Sequence, residues 1–185
     1  MEGDARSYRG RDSATASAWF NAKLALMLLL VMADIALNSS VEYDDIQRGG
    51  DGPANTTALV LVLGFQLAVQ VAIPLSVFIM MFETYPFRVG LMGLLVAQYR
   101  RVYAVNAVYV VLTAAVYAFR VGKMTENDGM RPSAMWDMGT YTAFSILQKL
   151  VACVYYVANV RAAVDLGDPR FYDKRAWVLG MEAEP

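Results

Sequence analysis

Lys23, Asp34, Gln66, Gln70, Asn106, Arg120 and Lys149 all sit inside long apolar stretches of this sequence. An ionisable side chain at the centre of a bilayer costs roughly 2.5–3.5 kcal/mol on insertion scales, so such groups turn toward a partner or a wet path. Lys23 and Arg120 stand near the ends of their stretches and can snorkel along their own stems. Lys149 is central, whereas Asp34 lies three residues from the end of its run. In antiparallel helices these two Cα atoms differ in depth by about 5–8 Å at 1.5 Å per residue, which a lysine can span. The expectation is an Asp34–Lys149 ion pair, or a Lys149–Gln66 hydrogen bond, that fixes helix register. Proton or ion conduction is the chemical alternative, but the polar positions are too scattered in the sequence for one continuous path. Condensation of Lys149 with a retinal-like aldehyde is disfavoured, because proteins of that kind carry more spans.

The stretches that must position these residues are Ala18–Leu37, Ala58–Phe82, Val102–Val121 and Thr140–Val160. Each reaches the roughly 20 residues that carry a helix across a bilayer. Backbone polar groups in lipid must be satisfied within the chain, so the runs become helices. Hydrophobic residues form 57% of the chain and charged residues 18%, against the greater charge of a soluble domain. The fold class is therefore all-α: an integral membrane four-helix bundle over residues 18–160. A polar N-terminal arm (1–17) precedes it and a juxtamembrane tail (161–185) follows. The first run is longer than the core of a cleaved signal peptide and is read as a retained anchor.

Composition also removes function classes. A net charge of −1 lacks the basic surface that nucleic acid demands. Histidine is absent, which eliminates imidazole acid–base chemistry and ligation. The single cysteine, Cys153, permits no intrachain disulfide, and among Val, Ala and Tyr its thiol is expected to be buried and inert. No nucleophile–base pair, phosphate loop or metal cluster is present, so neither an enzyme nor a cofactor is expected.

Basic residues set the orientation. Arg6, Arg9, Arg11, Arg88, Arg100, Arg101, Arg161, Arg170, Lys174 and Arg175 fall on one side, but only Arg48, Lys123 and Arg131 on the other. The positive-inside rule thus places both termini and the middle segment in the cytosol. The first outer loop contains the sequons Asn38-Ser39-Ser40 and Asn55-Thr56-Thr57. Both lie close to the membrane, where enzymatic access is poor. Glu42, Asp44, Asp45 and Asp51 in that loop read as a solvated acidic face rather than a cation site.

Between the second and third runs, Phe87–Val96 is apolar but short, with Arg88 and Arg100-Arg101 around it and Gly90-Leu91 within it. This suits an interfacial helix on the cytosolic leaflet better than an extension of the second span, with Pro86 starting it. Pro74 should bend the second span and free the carbonyl of Gln70 for a neighbouring polar group. In the third run, Ala104, Ala107, Val111, Ala114 and Ala118 form a narrow face suited to close helix approach. In the fourth, Lys149, Ala152, Cys153, Tyr156 and Val160 share a face.

The tail reads Arg161-Ala162-Ala163-Val164-Asp165-Leu166-Gly167-Asp168-Pro169-Arg170-Phe171-Tyr172, with Trp177 beyond. Gly167 can end the helix in the left-handed conformation and Pro169 prevents its resumption. Phe171, Tyr172 and Trp177 then suit aromatic anchors at the interface. This segment resembles the C-terminal motif of the transmembrane protein 138 family. Matching stretches include Asp34 with Asn38-Ser39, Gln66, Phe82 through Leu95, Ala107-Val108-Tyr109, and Trp136-Asp137 with Gly139. The long N-terminal arm, the Gly-rich first outer loop and Lys149 depart from the family pattern. The resemblance implies a four-span, non-enzymatic protein of the ciliary base, transition zone and associated vesicles. It further implies a role in cilium assembly and in delivering membrane proteins to cilia, as scaffold or escort. The partners expected are the bilayer and other membrane or ciliary proteins. An auxiliary subunit of a larger channel or photoreceptor complex, or a small channel or transporter, are the rival readings. Candidate partner contacts are Gly90, Leu91, Arg100, Arg101, Leu166, Gly167, Asp168, Pro169, Phe171, Tyr172 and Trp177, with Asp34, Gln66 and Lys149 kept for bundle structure.

Overall fold

The computed structural model describes residues 19–40, 56–126, 132–168 and 171–172. The acidic residues of the first outer loop, Asn55, Pro169 and Trp177 lie outside that set. Helix α1 spans Trp19–Ser40 and α2 spans Thr56–Met81. Two short helices follow, α3 over Tyr85–Arg88 and α4 over Met92–Gln98. Helix α5 runs Arg100–Glu126, a 3-10 turn covers Pro132–Met135, and α6 closes the fold over Gly139–Leu166. All four long helices are long and apolar enough to cross a membrane, and no strand occurs among the described residues.

Side-chain pairs give the topology. Between α5 and α6, Asn106 meets Asn159, Tyr109 meets Tyr156 and Thr113 meets Gln148. One number rises as the other falls, so the two helices are antiparallel. The same reversal links α2 to α5 through Gln66–Tyr117, Gln70–Thr113 and Met81–Tyr103. It links α1 to α2 through Asp34–Gln70 and Lys23–Glu83, and α1 to α6 through Asp34–Tyr156 and Asn38–Gln148. The chain is thus an up-down-up-down bundle, the arrangement that short connections favour.

Its surface is inverted relative to a water-soluble bundle. Leu29, Leu61, Phe65, Val111 and Leu150 are more than half exposed, while Asp34, Gln66, Gln70, Thr113 and Asn159 are fully buried. In water that exterior would be a large adhesive patch; in lipid it is the solvated face. Met27, Ile73, Val77, Met80, Tyr155, Ala163, Leu166 and Phe171 form an apolar plug toward the end where α1 begins and α6 finishes. A smaller cluster of Val116, Met124, Met135 and Tyr141 closes the opposite end. Polar groups occupy the interior between them.

Several sequence expectations change here. Ala104, Ala107, Val111 and Ala118 face outward, and α5 buries Asn106, Tyr109, Thr113, Tyr117 and Arg120 instead. Arg120 is therefore an interior residue, because it falls on this polar face rather than near enough to the end to leave it. Helix α6 turns Tyr141, Ser145, Gln148, Ala152, Tyr155, Asn159, Ala162 and Leu166 inward at alternating steps of four and three. Cys153, one position off that face, is exposed rather than buried. The helix also continues through Leu166, so the first residues of the tail belong to the bundle. In place of a single interfacial helix the chain makes two, separated at Gly90, whose φ of +81° only glycine adopts readily. Pro86 does sit in the first turn of α3, with Thr84 at its N-cap. Thr84 Oγ1 donates back to the Met81 carbonyl at 2.7 Å and closes α2.

Candidate functional site

The interior polar layer is a connected set built from all four long helices. Asp34 on α1 anchors it. Its Oδ2 accepts hydrogen bonds from the Tyr156 hydroxyl at 2.7 Å and the Tyr109 hydroxyl at 3.0 Å. Its Oδ1 accepts from Gln70 Nε2 at 3.2 Å. Three neutral donors from three helices thus converge on one carboxylate. Gln70 Nε2 also reaches Thr113 Oγ1 at 3.4 Å, and Gln148 Nε2 donates to the same oxygen at 3.2 Å. From Gln148 the connection continues to Asn38 Oδ1 at 3.3 Å, which also receives Lys149 Nζ at 2.6 Å.

Local sequence explains why these groups point inward. Asp34 and Asn38 are four apart on α1, as are Gln66 and Gln70 on α2, so each pair shares one helix face. Asn106, Tyr109, Thr113, Tyr117 and Arg120 form the corresponding stripe of α5. Pro74 removes the amide that would bond the Gln70 carbonyl, and the Tyr155 hydroxyl donates to that oxygen at 3.0 Å. The expected compensation is therefore met from α6. Below this layer, the Asn106 and Asn159 side-chain amides donate to each other at 3.3 and 3.0 Å. Each also bonds the carbonyl four residues back on its own helix, Val102 and Tyr155 respectively, so the pair locks α5 to α6.

The expected Asp34–Lys149 ion pair does not form. With Tyr156 opposite Asp34, Lys149 lies seven residues away on α6, about 10 Å along the axis. That register delivers Nζ to Asn38, one turn beyond Asp34, where it also donates to the backbone oxygen at 3.2 Å. Nor does Lys149 bond Gln66, whose Oε1 accepts from the Tyr117 hydroxyl at 2.7 Å. The polar residues are also less scattered than their sequence spacing implies, because antiparallel packing brings them to one level.

Asn38 carries a formal sequon, yet its side chain is buried and holds Gln148 and Lys149. No group of metal-binding side chains occurs among the described residues. The layer can hold a charge and fix register.

A second organised region lies where α1 starts and α6 ends. Gly167 has φ −75°, so it is not in the left-handed conformation. Its requirement is spatial: a Cβ there would stand 2.9 Å from Phe20 Cζ and 3.1 Å from the Val164 carbonyl oxygen. Phe171 is fully buried in the apolar plug rather than lying at an interface. Tyr172 stacks edge-on against Phe20 with ring centroids 6.4 Å apart. Burial, with Glu83 nearby, pushes the Tyr172 phenol above its ordinary range. Lys23 pairs with Glu83 and ties α1 to the end of α2 at the same level. Leu166, Gly167 and Phe171 are thus committed to the protein's own packing, whereas Gly90, Leu91, Arg100 and Arg101 stand exposed.

A model of the transmembrane protein 138 family matches residues 59–181, which include three of the four long helices and the tail motif. The chain belongs to that family. It is 30% identical over 155 residues to Transmembrane protein 138 of Mus musculus, covering 84% of this chain and 88% of the relative. Against the Xenopus tropicalis and Danio rerio proteins of the same name, identity is 28% and 27%, with the same coverage. No solved structure matches. The family match therefore includes Gln66, Lys149 and the Leu166–Tyr172 lock, while Asp34 lies in the segment before it.

Thr113, Tyr117, Gln148, Tyr155 and Asn159 are site residues absent from the sequence expectations, in which Asn38 figures only as a sequon and, with Tyr109, in stretches that match the family. The four-three rhythm of Tyr141, Ser145, Gln148, Tyr155 and Asn159 is the signal that identifies the inner face of α6.

Proposed function

We propose that this chain is a non-enzymatic membrane protein of the ciliary base and its vesicles. It acts in cilium assembly and the delivery of membrane proteins to cilia, as scaffold or escort. Family membership supports the ciliary setting. The structural observation behind the scaffold reading is the use of Asp34, Gln70, Thr113, Gln148 and Asn38 to bond one another across all four helices. Such a core makes a rigid body and presents no reactive group to a substrate. The distribution of arginine and lysine supports a cytosolic position for both termini and for α3–α4.

Localisation of a tagged full-length chain in a ciliated cell tests this reading. Concentration at the ciliary base, with loss of the gene depleting membrane proteins from the cilium, is the expected result. Confinement to mitochondria or plastids would overturn it.

One observation favours an auxiliary-subunit role as a second reading. The small-residue stripe Ala104, Ala107, Val111 and Ala118 faces outward, where a helix of another protein can approach closely. Capture in mild detergent separates the two. One stoichiometric membrane partner supports a subunit; several substoichiometric ones support an escort.

A further inference from the structure

Where α2 passes into α5, the surface differs from the rest of the exterior. Val89, Leu91, Met92, Leu94 and Val96 are all exposed, and between them only Leu95 turns inward. Gly90, with its positive φ, separates α3 from α4 in this stretch. Arg88, Arg100 and Arg101 surround this apolar patch and are exposed, as is Arg161 on α6. The Asn106–Asn159 pair sets Arg101 and Arg161 within about 5 Å of one depth, at 1.5 Å per residue. None of these four guanidinium groups has a partner among the described residues. The nearest acid in the segment, Glu83, is taken by Lys23.

We propose that residues 82–101, with Arg161, form a binding surface for anionic phospholipid headgroups. The exposed apolar side chains enter one leaflet beside the lipid-facing belt, with which they are continuous. The four arginines stand at the ends of the spans, at headgroup depth, and take lipid phosphates. Two features select lipid as the occupant. Guanidinium groups match phosphate oxygens in bidentate geometry, and a cluster of basic residues beside a span is drawn to anionic lipid. The proposal is independent of the ciliary reading, since it concerns only the bilayer.

The test uses the full chain in phosphatidylcholine vesicles with and without phosphatidylserine, read by spin-labelled lipids. A severalfold preference for phosphatidylserine that declines with added salt is expected. The variant R88Q/R100Q/R101Q/R161Q should bring the ratio to about one, each lost arginine weakening the preference up to about fivefold. Four lysines at the same positions should retain most of it. A fluorophore placed by Leu94→Cys in a Cys153→Ala chain should be shielded from water in phosphatidylcholine alone. An equal preference in the glutamine variant, or one insensitive to salt in the unaltered chain, overturns the assignment. A label that stays in water until a soluble protein is added also overturns it, in favour of a protein-docking surface. Because the salt titration needs no substitution, an insensitive preference overturns the assignment even where the glutamine variant does not fold.

Discussion

Lys149 Nζ lies 2.6 Å from Asn38 Oδ1, one helical turn from Asp34, the acid with the opposite charge. Asp34 and Lys149 are thus held separately. Asp34 is satisfied by tyrosine hydroxyls and an amide, Lys149 by an asparagine that bonds it through side chain and backbone. Register, rather than direct charge neutralisation, is what this arrangement specifies.

That separation has a measurable consequence. Asn38→Ala and Lys149→Met should couple by about 1–2 kcal/mol in a double-mutant cycle, measured by denaturation in mixed micelles. Asp34→Asn and Lys149→Met, linked only through intervening members of the network, should couple more weakly than that pair. Strong coupling confined to the second pair contradicts the observed geometry.

Removing the carboxylate strands three donors at once. Asp34→Ala should cost about 3 kcal/mol or more, exceeding Tyr109→Phe or Tyr156→Phe alone at about 1 kcal/mol each. Thermal unfolding in detergent reads the difference. Equal effects for all three variants would mean that the hydroxyls do not converge on Asp34.

The proline of α2 and the hydroxyl of Tyr155 form one unit. Tyr155→Phe leaves the Gln70 carbonyl without its donor and should destabilise by about 1–2 kcal/mol. In a Pro74→Ala background, where residue 74 can donate that bond itself, the loss should shrink. An unchanged loss separates the two residues.

Gly167 is required by Phe20. Gly167→Ala should destabilise by about 1–3 kcal/mol through overpacking, and Phe20→Leu in the same chain should recover part of that loss. Limited proteolysis of the tail and thermal unfolding both report it. A Gly167→Ala chain that is as stable as the parent argues against the contact.

Tyr172 supplies a pH dependence outside the spans. Its phenol titrates above the ordinary value when the tail is docked, so the docked state favours the neutral form. That contribution is complete below about pH 10 and fades as pH rises through the docked-state value. The difference in alkaline absorbance titration between the parent and Tyr172→Phe isolates it. A Tyr172 component titrating at or below the ordinary value is the contrary result.

How much of this the sequence displays depends on which force writes each feature. The spans are legible, since their apolar length is a local property that transfer energetics decide. The pairing of Pro74 with a donor for Gln70 is legible for a similar reason, because a missing amide must be answered nearby. Inner faces are less readable. In lipid, apolar residues do not choose the interior, so the alanine stripe of α5 is as stable outside as in. The Lys149 partner depends on register, which Tyr156 and Asn159 set from elsewhere on α6. Gly167 looks like a left-handed helix end by residue type alone, whereas its cause is a ring from the far end of the chain. Gly90, within an apolar run that reads as one helix, is where the left-handed conformation falls.

The polar faces of four antiparallel helices meet inside while the apolar and alanine faces meet lipid. Cysteine cross-linking in a Cys153→Ala chain tests this arrangement most directly. Asn106→Cys with Asn159→Cys should form a disulfide rapidly in membranes, whereas Ala107→Cys with Val157→Cys, both exposed, should not. Efficient bridging of the second pair and none of the first would show that α5 and α6 pack through their opposite faces, contrary to this arrangement.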